Sequence, residues 1–327
     1  MTTLAVLNPG GNDREQAFPD GAGAPAAATP HPPVNYHAYA ACTHGTFYRD
    51  ADRIPPAQRE VLLVLRRDLG HCLKALRTLK EEGKRVAVSL KESGLHQVAQ
   101  LLGEPGNMAL FREICGLADG CVASTPEMPG VYRAAGGRNV RFIPTPYPVD
   151  DGRWDFSAPE RNGIFIGTRE WDVPSRNHAA ALLAAASLNV PVTVVNGEGR
   201  AGRKRIEAAG IAVVDIIEGR KPYPEYLRLI ARHRMVFQLD RSAVPGQVAG
   251  DALLCGIPCV GGDGAIERIA FPDSCGHGRT PEQLREIAAA LLRDDGAAAV
   301  SKSREIAMGT LSFAAIATQL RDYFAAL

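Results

Sequence analysis

Short runs of β-branched and aliphatic residues alternate with amphipathic stretches along almost the whole chain, and this alternation limits the fold more than any other feature. Strands of this kind, each followed by a helical pattern, build βαβ units and parallel sheets. In the first half, strand patterns fall at 3–7, 61–65, 86–90, 120–123 and 140–143. Helical periodicity falls at 69–82, 95–102, 108–118 and 126–135. The stretch 69–82 carries Leu69, Cys72, Leu73, Leu76 and Leu79 on one face and stops at Gly83. In the second half, strands are expected at 163–166, 191–195, 211–217, 235–239 and 257–260. Helices are expected at 175–187, 200–209, 222–232, 247–255, 281–293 and about 311–326. The predicted class is α/β, with two doubly wound domains in series. Ligands of such sheets bind outside the carboxyl ends of the strands, so a cleft faced by both domains is the expected site.

The 327 residues suffice for two cores of ordinary size. No apolar run approaches the roughly 20 residues a membrane helix needs, and the N-terminal "MTTLAVLNPGG" lacks the pattern of a secretion signal. A formal net charge of +1 gives no global reason to bind nucleic acid or an anionic membrane. The seven cysteines are scattered without a C-x-x-C pair and read as small buried hydrophobes in a reducing cytoplasm. Residues 18–34 are rich in Ala, Gly and Pro and read as a long loop; 144–163 hold four prolines and read as an interdomain linker. The domains are therefore expected at 1–148 and 160–310, with a final helix over 311–327 that has the option of packing back on the first domain.

Five motifs in order resemble the GT-B glycosyltransferases, especially the retaining, nucleotide-sugar-dependent family 4 group. In the second half they are "FIGTREWDVPSRNHAAALL" (165–183), "VVNGEG" (194–199), "VVDIIEGR" (213–220) and "DALLCGIPCV" (251–260). The first half adds one, an ending that runs "LADGCVASTPEM…VRFIPTPYPVD". The resemblance implies two Rossmann-like domains facing a cleft, with a nucleotide diphosphate-sugar as donor substrate and no separate cofactor.

It also implies roles for particular residues. Asp251 stands where a carboxylate accepts the ribose hydroxyls; the alternative is a helix-opening acid that interacts with the dipole. Arg169 and Arg176 stand where a basic pair holds the diphosphate, a task suited to the planar guanidinium, and the alternative is two solvated loop arginines. Ser175 and the following helix N-terminus would add donors, as would the turn Gly246, Gln247, Val248. Asn196, Gly197 and Gly199 have little bulk and let backbone approach a ligand, or they form a plain turn. Ile216 and Ile217 stand where the base would lie, with Glu218 and Tyr223 nearby.

In the first half, Gly10 and Gly11 follow the first strand and would face donor or acceptor. The G-x-G-x-x-G fingerprint is missing there, which argues against a dinucleotide-dependent dehydrogenase. "SLKESGLHQ" (89–97) offers Lys91, Glu92, Ser93 and His96 as catalytic candidates at a strand end where relatives often carry a cleft-facing histidine; His37 and His44 have less support. No D-x-D stretch or His/Cys cluster suggests a metal site. The acids of "VDDGR" (149–153) are expected to be solvated.

The family pattern departs at one place. Of two glutamates spaced eight positions apart, the second falls on Asp251 and the first on Ala243, with Asp240 or Gln247 as substitutes for it. The expected activity is transfer of a hexosyl group to an acceptor hydroxyl, with retention and without a metal. The acceptor would be a glycan, a lipid-linked sugar or a protein. Peripheral membrane contact through "RAGRKR" (200–205) stays open beside a solvated helix start. The alternatives are a catalytically inactive nucleotide-binding or scaffolding protein, and a sugar-nucleotide epimerase.

Overall fold

The computed structural model describes residues 3–26, 31–91, 94–167, 171, 173–211 and 214–327. The chain divides into two compact units, one holding residues up to 153 together with 310–327, the other chiefly Trp154–Gly309.

In the first unit the elements run β1 (Ala5–Leu7), β2 (Gln16–Ala17), α1 (Tyr36–Cys42), β3 (Thr46–Tyr48), β4 (Glu60–Leu65), α2 (Leu69–Glu81), β5 (Arg85–Leu90), α3 (Leu95–Gly103), α4 (Asn107–Leu117), β6 (Gly120–Ala123), α5 (Met128–Ala134) and β7 (Val140–Phe142). The sheet order is β2-β3-β1-β4-β5-β6-β7, parallel throughout except for β2 on the edge. Strand β4, "EVLLVL", is buried along its whole length because helices cover both faces of the sheet. Alternate residues of the strands feed two cores. Val61, Leu63 and Leu65 meet Leu69, Leu73 and Leu76 of α2 on one face. Leu62, Val64 and Val6 meet Tyr36, Tyr39 and the C-terminal helix on the other.

The second unit continues with β8 (Ile164–Ile166), α6 (His178–Ala186), β9 (Val192–Asn196), α7 (Gly199–Ala208), β10 (Val214–Glu218), α8 (Tyr223–Ala231), β11 (Met235–Gln238), α9 (Gln247–Cys255), β12 (Cys259–Gly261), α10 (Ala265–Ala270), α11 (Pro281–Arg293) and α12 (Ala297–Thr310). Its five strands are all parallel, in the order β10-β9-β8-β11-β12. The order reverses between β8 and β11, and a doubly wound sheet opens its ligand crevice there. The local signals are strong: α11 begins with a Thr280/Gln283 capping box and Pro281 in its first turn. Helix α9 ends on Gly256 in the left-handed region, φ 61°.

The last helix, α13 (Phe313–Ala325), belongs to the first unit, where Ile316, Leu320, Tyr323 and Phe324 cover the sheet beside α1. Asp150, expected in solvent, instead accepts the backbone N–H groups of Phe313 and Ala314 at 3.2 and 3.0 Å, beside the N-cap Ser312, whose hydroxyl accepts the Ala315 N–H at 3.2 Å. Asp151 pairs with Arg153 through two guanidinium nitrogens.

Two segments read as loose are packed. Tyr147 of the proline-rich stretch is fully buried, and its N–H donates to the carbonyl of Leu311. Prolines on both sides of it favour an extended backbone, which forms a parallel bridge with Ser312. In the 18–34 segment Phe18 is buried in the core with Val6 and Tyr39, while residues 27–30 lie outside the described residues. All seven cysteines are free and buried. Among the described residues, no helix is long and apolar enough to cross a membrane.

Candidate functional site

The loops that leave β8 and β11 are stitched to each other in the second unit. The N–H of Arg241 donates to the carbonyl of Ser175 at 2.8 Å, and the Ser175 and Ser242 hydroxyls are 2.7 Å apart. Asn177, in the left-handed region at φ 52°, donates its amide to the carbonyl of Leu239 at 3.0 Å. Across this seam the Arg176 guanidinium pairs with the buried Asp240 carboxylate. Asp240 also takes the N–H of Ser242 at 2.7 Å, which fixes the turn. The guanidinium is thus held at the sheet's switch point, 16% exposed. Arg169, its expected companion, lies outside the described residues.

Helix α9 starts beside this pair. Gly246 is its N-cap, with φ 95°, a conformation that glycine takes without strain. The helix start packs tightly on β8: a Cβ on Gly167 would lie 2.5 Å from the Val248 Cγ1. The first turn of α9 carries no acid, so the N–H groups at its N-terminus keep their positive end of the dipole.

Asp251 does not open this helix; it is the fifth residue of α9, beyond the first turn, and the dipole explanation for it falls away. It is buried, 1% exposed, and accepts the Tyr223 hydroxyl from the start of α8. Tyr223 in turn packs at a tilt on Trp154, ring centroids 6.1 Å apart.

At the ends of β9 and β10, Asn196 is fully buried and its amide is engaged inside the loop. It donates to the Gly199 carbonyl at 2.7 Å and to Glu218 at 2.9 Å, and accepts the Glu198 N–H at 3.1 Å. Gly197 follows it, and Ile217 is half-buried on β10, paired in register with Val195. The basic start of α7 is largely charge-paired: Arg203 lies 2.6 Å from Glu218 and Arg205 2.7 Å from Glu198.

One further acid escaped the sequence reading. Glu267 of α10 is 2% exposed, and its Oε1 accepts from Gln238 Nε2 at 2.8 Å. Burial is the main cause that pushes its carboxyl up, to about 7. Its own N–H works against the rise, Asp240 adds to it, and Gln238 and Arg176 moderate it. The signal was present in "GGDGAIERIA": glycines crowd an acid where bulk would collide with it.

The first unit gathers a second polar group at the carboxyl ends of β1, β4 and β5. Asp13 pairs with Lys91, accepts the Asn8 amide at 3.1 Å, and has Arg66 at 3.9 Å. Burial raises the Asp13 carboxyl, but the Lys91 ammonium brings it below the usual range. Gly10, φ 67°, turns the chain next to His71, and a Cβ on Gly11 would overlap the Asn8 amide. Asp13 was not singled out from the sequence, although an acid closely follows the glycine pair there. Glu92 and Ser93 lie outside the described residues, and His96 is a half-buried residue in the first turn of α3. His37 is buried between the rings of His31 and Phe47 and held to the carbonyl of Arg14; burial lowers it to about 3, so it stays neutral. His44 donates to the carbonyl of Pro19 at 2.9 Å.

No protein family matches the sequence, and no curated protein does. Solved structures match its fold. Anabaena HepE in complex with UDP and glucose aligns with a TM-score of 0.63 at 14% identity, over 83% of this chain and 79% of that one. A trehalose-6-phosphate synthase, studied for glycosyltransfer with retention through bisubstrate glycomimetics, aligns at 0.62 and 12% identity over 85% and 76%. The E. coli trehalose-6-phosphate protein bound with UDP-2-fluoro glucose aligns at 0.63 and 12% identity over 85% and 76%. The chain therefore has the two Rossmann-like units of the GT-B glycosyltransferase fold.

Proposed function

We propose that this GT-B-fold chain is a glycosyltransferase that moves a hexosyl group from a nucleoside-diphosphate donor to an acceptor hydroxyl, with retention. The observation that carries the reading is that the β8 loop with Arg176 and the β11 loop that leads into the glycine-capped N-terminus of α9 are tied together at the switch point through the Arg176–Asp240 pair. A diphosphate there would receive a planar guanidinium and backbone N–H groups together. Neighbours of the same fold hold UDP with glucose and UDP-2-fluoro glucose, which supports a nucleotide sugar as the partner.

In this reading Arg176, with Arg169 and the backbone at Gly246 and Gln247, binds the diphosphate and stabilises it as it leaves, without a metal ion. Asp251, held by Tyr223, takes the ribose hydroxyls, and Ile217 borders the base beyond Asn196 and Gly197. Lys91, Glu92, His96, Gly10 and Gly11 of the first unit serve the acceptor or the donor sugar. The acceptor is a glycan, a lipid-linked sugar or a protein; a lipid-linked one brings peripheral membrane contact of a cytoplasmic enzyme.

A second reading has its own observation. The position where family 4 carries its first glutamate is Ala243, at φ 49° and 7% exposed, so no carboxylate stands there. That favours a nucleotide-sugar binder that does not turn over. An epimerase would act on the donor alone, so a requirement for acceptor separates it from a transferase.

The deciding experiment is calorimetric titration of UDP, GDP, ADP, TDP and CMP into wild type, Asp251→Ala and Arg176→Ala. One diphosphate should bind, and each substitution should weaken it by about tenfold or more, as loss of a charge-assisted contact does. Equal affinity in all three proteins would remove these residues from the site. Binding without release of nucleoside diphosphate in any acceptor mixture would favour the binder.

A further inference from the structure

Glu267 is a buried acid of this site, and burial pushes its carboxyl up to about 7. Its Oε2 has no hydrogen-bond partner among the described residues. The oxygen lies against the N-cap of α9: a Cβ on Gly246 or on Gly264 would overlap it, and a Cβ on Gly262 would sit 3.0 Å from its Cγ. The loop is tied to its helix as well, because the N–H groups of Ala265 and Ile266 donate to the carbonyls of Val244 and Pro245 at 2.9 and 3.1 Å. Among the described residues, the groups that act on the carboxyl from the packed elements are Gln238 of β11 and Asp240 beyond it, Arg176 from the β8 loop, and Cys259 of β12.

A carboxylate in this position meets any anion seated on the α9 N-terminus at short range and in a poorly screened environment. Like charges there favour protonation of one of them. Arg176, which moderates the carboxyl, would be shared with the incoming diphosphate. The free carboxyl titrates close to neutrality, so only a modest further rise is needed to hold a proton under physiological conditions.

We propose that Glu267 links ligand binding to pH: seating a nucleoside-diphosphate sugar on the α9 N-terminus draws one proton from solvent onto the Glu267 carboxyl, and affinity falls as pH rises. This rests on the nucleotide-sugar reading of the site. Glu267 touches no reacting atom in this scheme; it regulates through its charge. The sign follows from linkage. The bound state holds more protons than the free state above the free carboxyl's midpoint, so each further pH unit weakens binding by up to about tenfold until the bound carboxyl also ionises.

The test is titration of UDP-glucose, with GDP-mannose and ADP-glucose in parallel, into the full chain at about pH 6.5, about pH 8 and about pH 8.5. A sugar ester is the right probe because both phosphorus atoms are esterified and the ligand itself gains no proton near neutrality. Each titration is run in HEPES and in Tris, whose different ionisation enthalpies report the number of protons taken up. The expected result is uptake of about half a proton or more near pH 8, with affinity about tenfold weaker at the higher pH. Glu267→Gln, which keeps an acceptor for Gln238 and removes the charge, should bind with no uptake and hold its affinity within about twofold across the range. If that variant does not fold, the wild-type proton count decides alone. Binding without uptake, or uptake that persists in folded Glu267→Gln, overturns the linkage and leaves the nucleotide reading intact. Binding of none of the three sugars by folded wild type overturns both.

Discussion

Single residues decide how close the backbone comes to a ligand here. Gly246 is required twice over, by a φ of 95° and by the Glu267 oxygen that occupies the space of a Cβ. Gly246→Ala must therefore move either the α9 N-cap or a buried carboxyl. It should destabilise the second unit by about 2 kcal/mol or more, read as a lower denaturant midpoint of tryptophan fluorescence. An unchanged midpoint would mean the cap is looser than its geometry. Both tryptophans, Trp154 and Trp171, lie in that unit, so the signal is its own. Residue by residue, the sequence made some of this legible. A glycine before a helical pattern and an arginine after a strand are visible as letters. Glu267 and Asp13 were not, because their meaning comes from burial and from partners far along the chain: Gln238 and Asp240 for one, Lys91 for the other.

Elements were legible where periodicity was complete. The stretch 69–82 is α2 (Leu69–Glu81), and 61–65 is the buried run of β4. Helix α1 went unread because every one of its seven residues is buried, which erases the amphipathic pattern. Strand β3 has three residues and α10 has six, too short for any period to show. The glycines around α10 also suggested a loop. The contact of Asp150 with the start of α13 was hidden for a different reason: Asp150 and Phe313 are distant in sequence, and two adjacent acids before a glycine look solvated. Asp150→Ala should cost about 1 kcal/mol of first-unit stability, the usual worth of an N-terminal capping acceptor. Chemical denaturation followed by far-ultraviolet circular dichroism measures it, and Asp150→Asn should recover most of the loss.

At the scale of the molecule, alternation of strand and helix was enough for the α/β class and for two Rossmann-like units, since parallel sheets impose that order on any sequence. It could not give strand order, which depends on which crossovers reverse and so on where the crevices open. Nor did it reveal how much of the first unit's core comes from α13. Ending the chain before Phe313 removes Ile316, Leu320, Tyr323 and Phe324 from the sheet, each worth about 1.5–3 kcal/mol when fully buried. The shortened chain should lose the first unit's transition in circular dichroism and keep the tryptophan transition of the second. Loss of both together would show that the two units do not unfold separately.

The return of α13 to the first unit also sets an order of events on the ribosome. A polypeptide emerges from its N-terminus, and domains that are contiguous in sequence can fold as soon as they clear the exit tunnel. The first unit is not contiguous. Its sheet is synthesised early but must wait, one face covered only by α1, while more than a hundred residues of the second unit are made. The unit made second can therefore be finished first, and the nascent chain carries an open apolar sheet for most of its synthesis. That interval is where this protein would most need a chaperone.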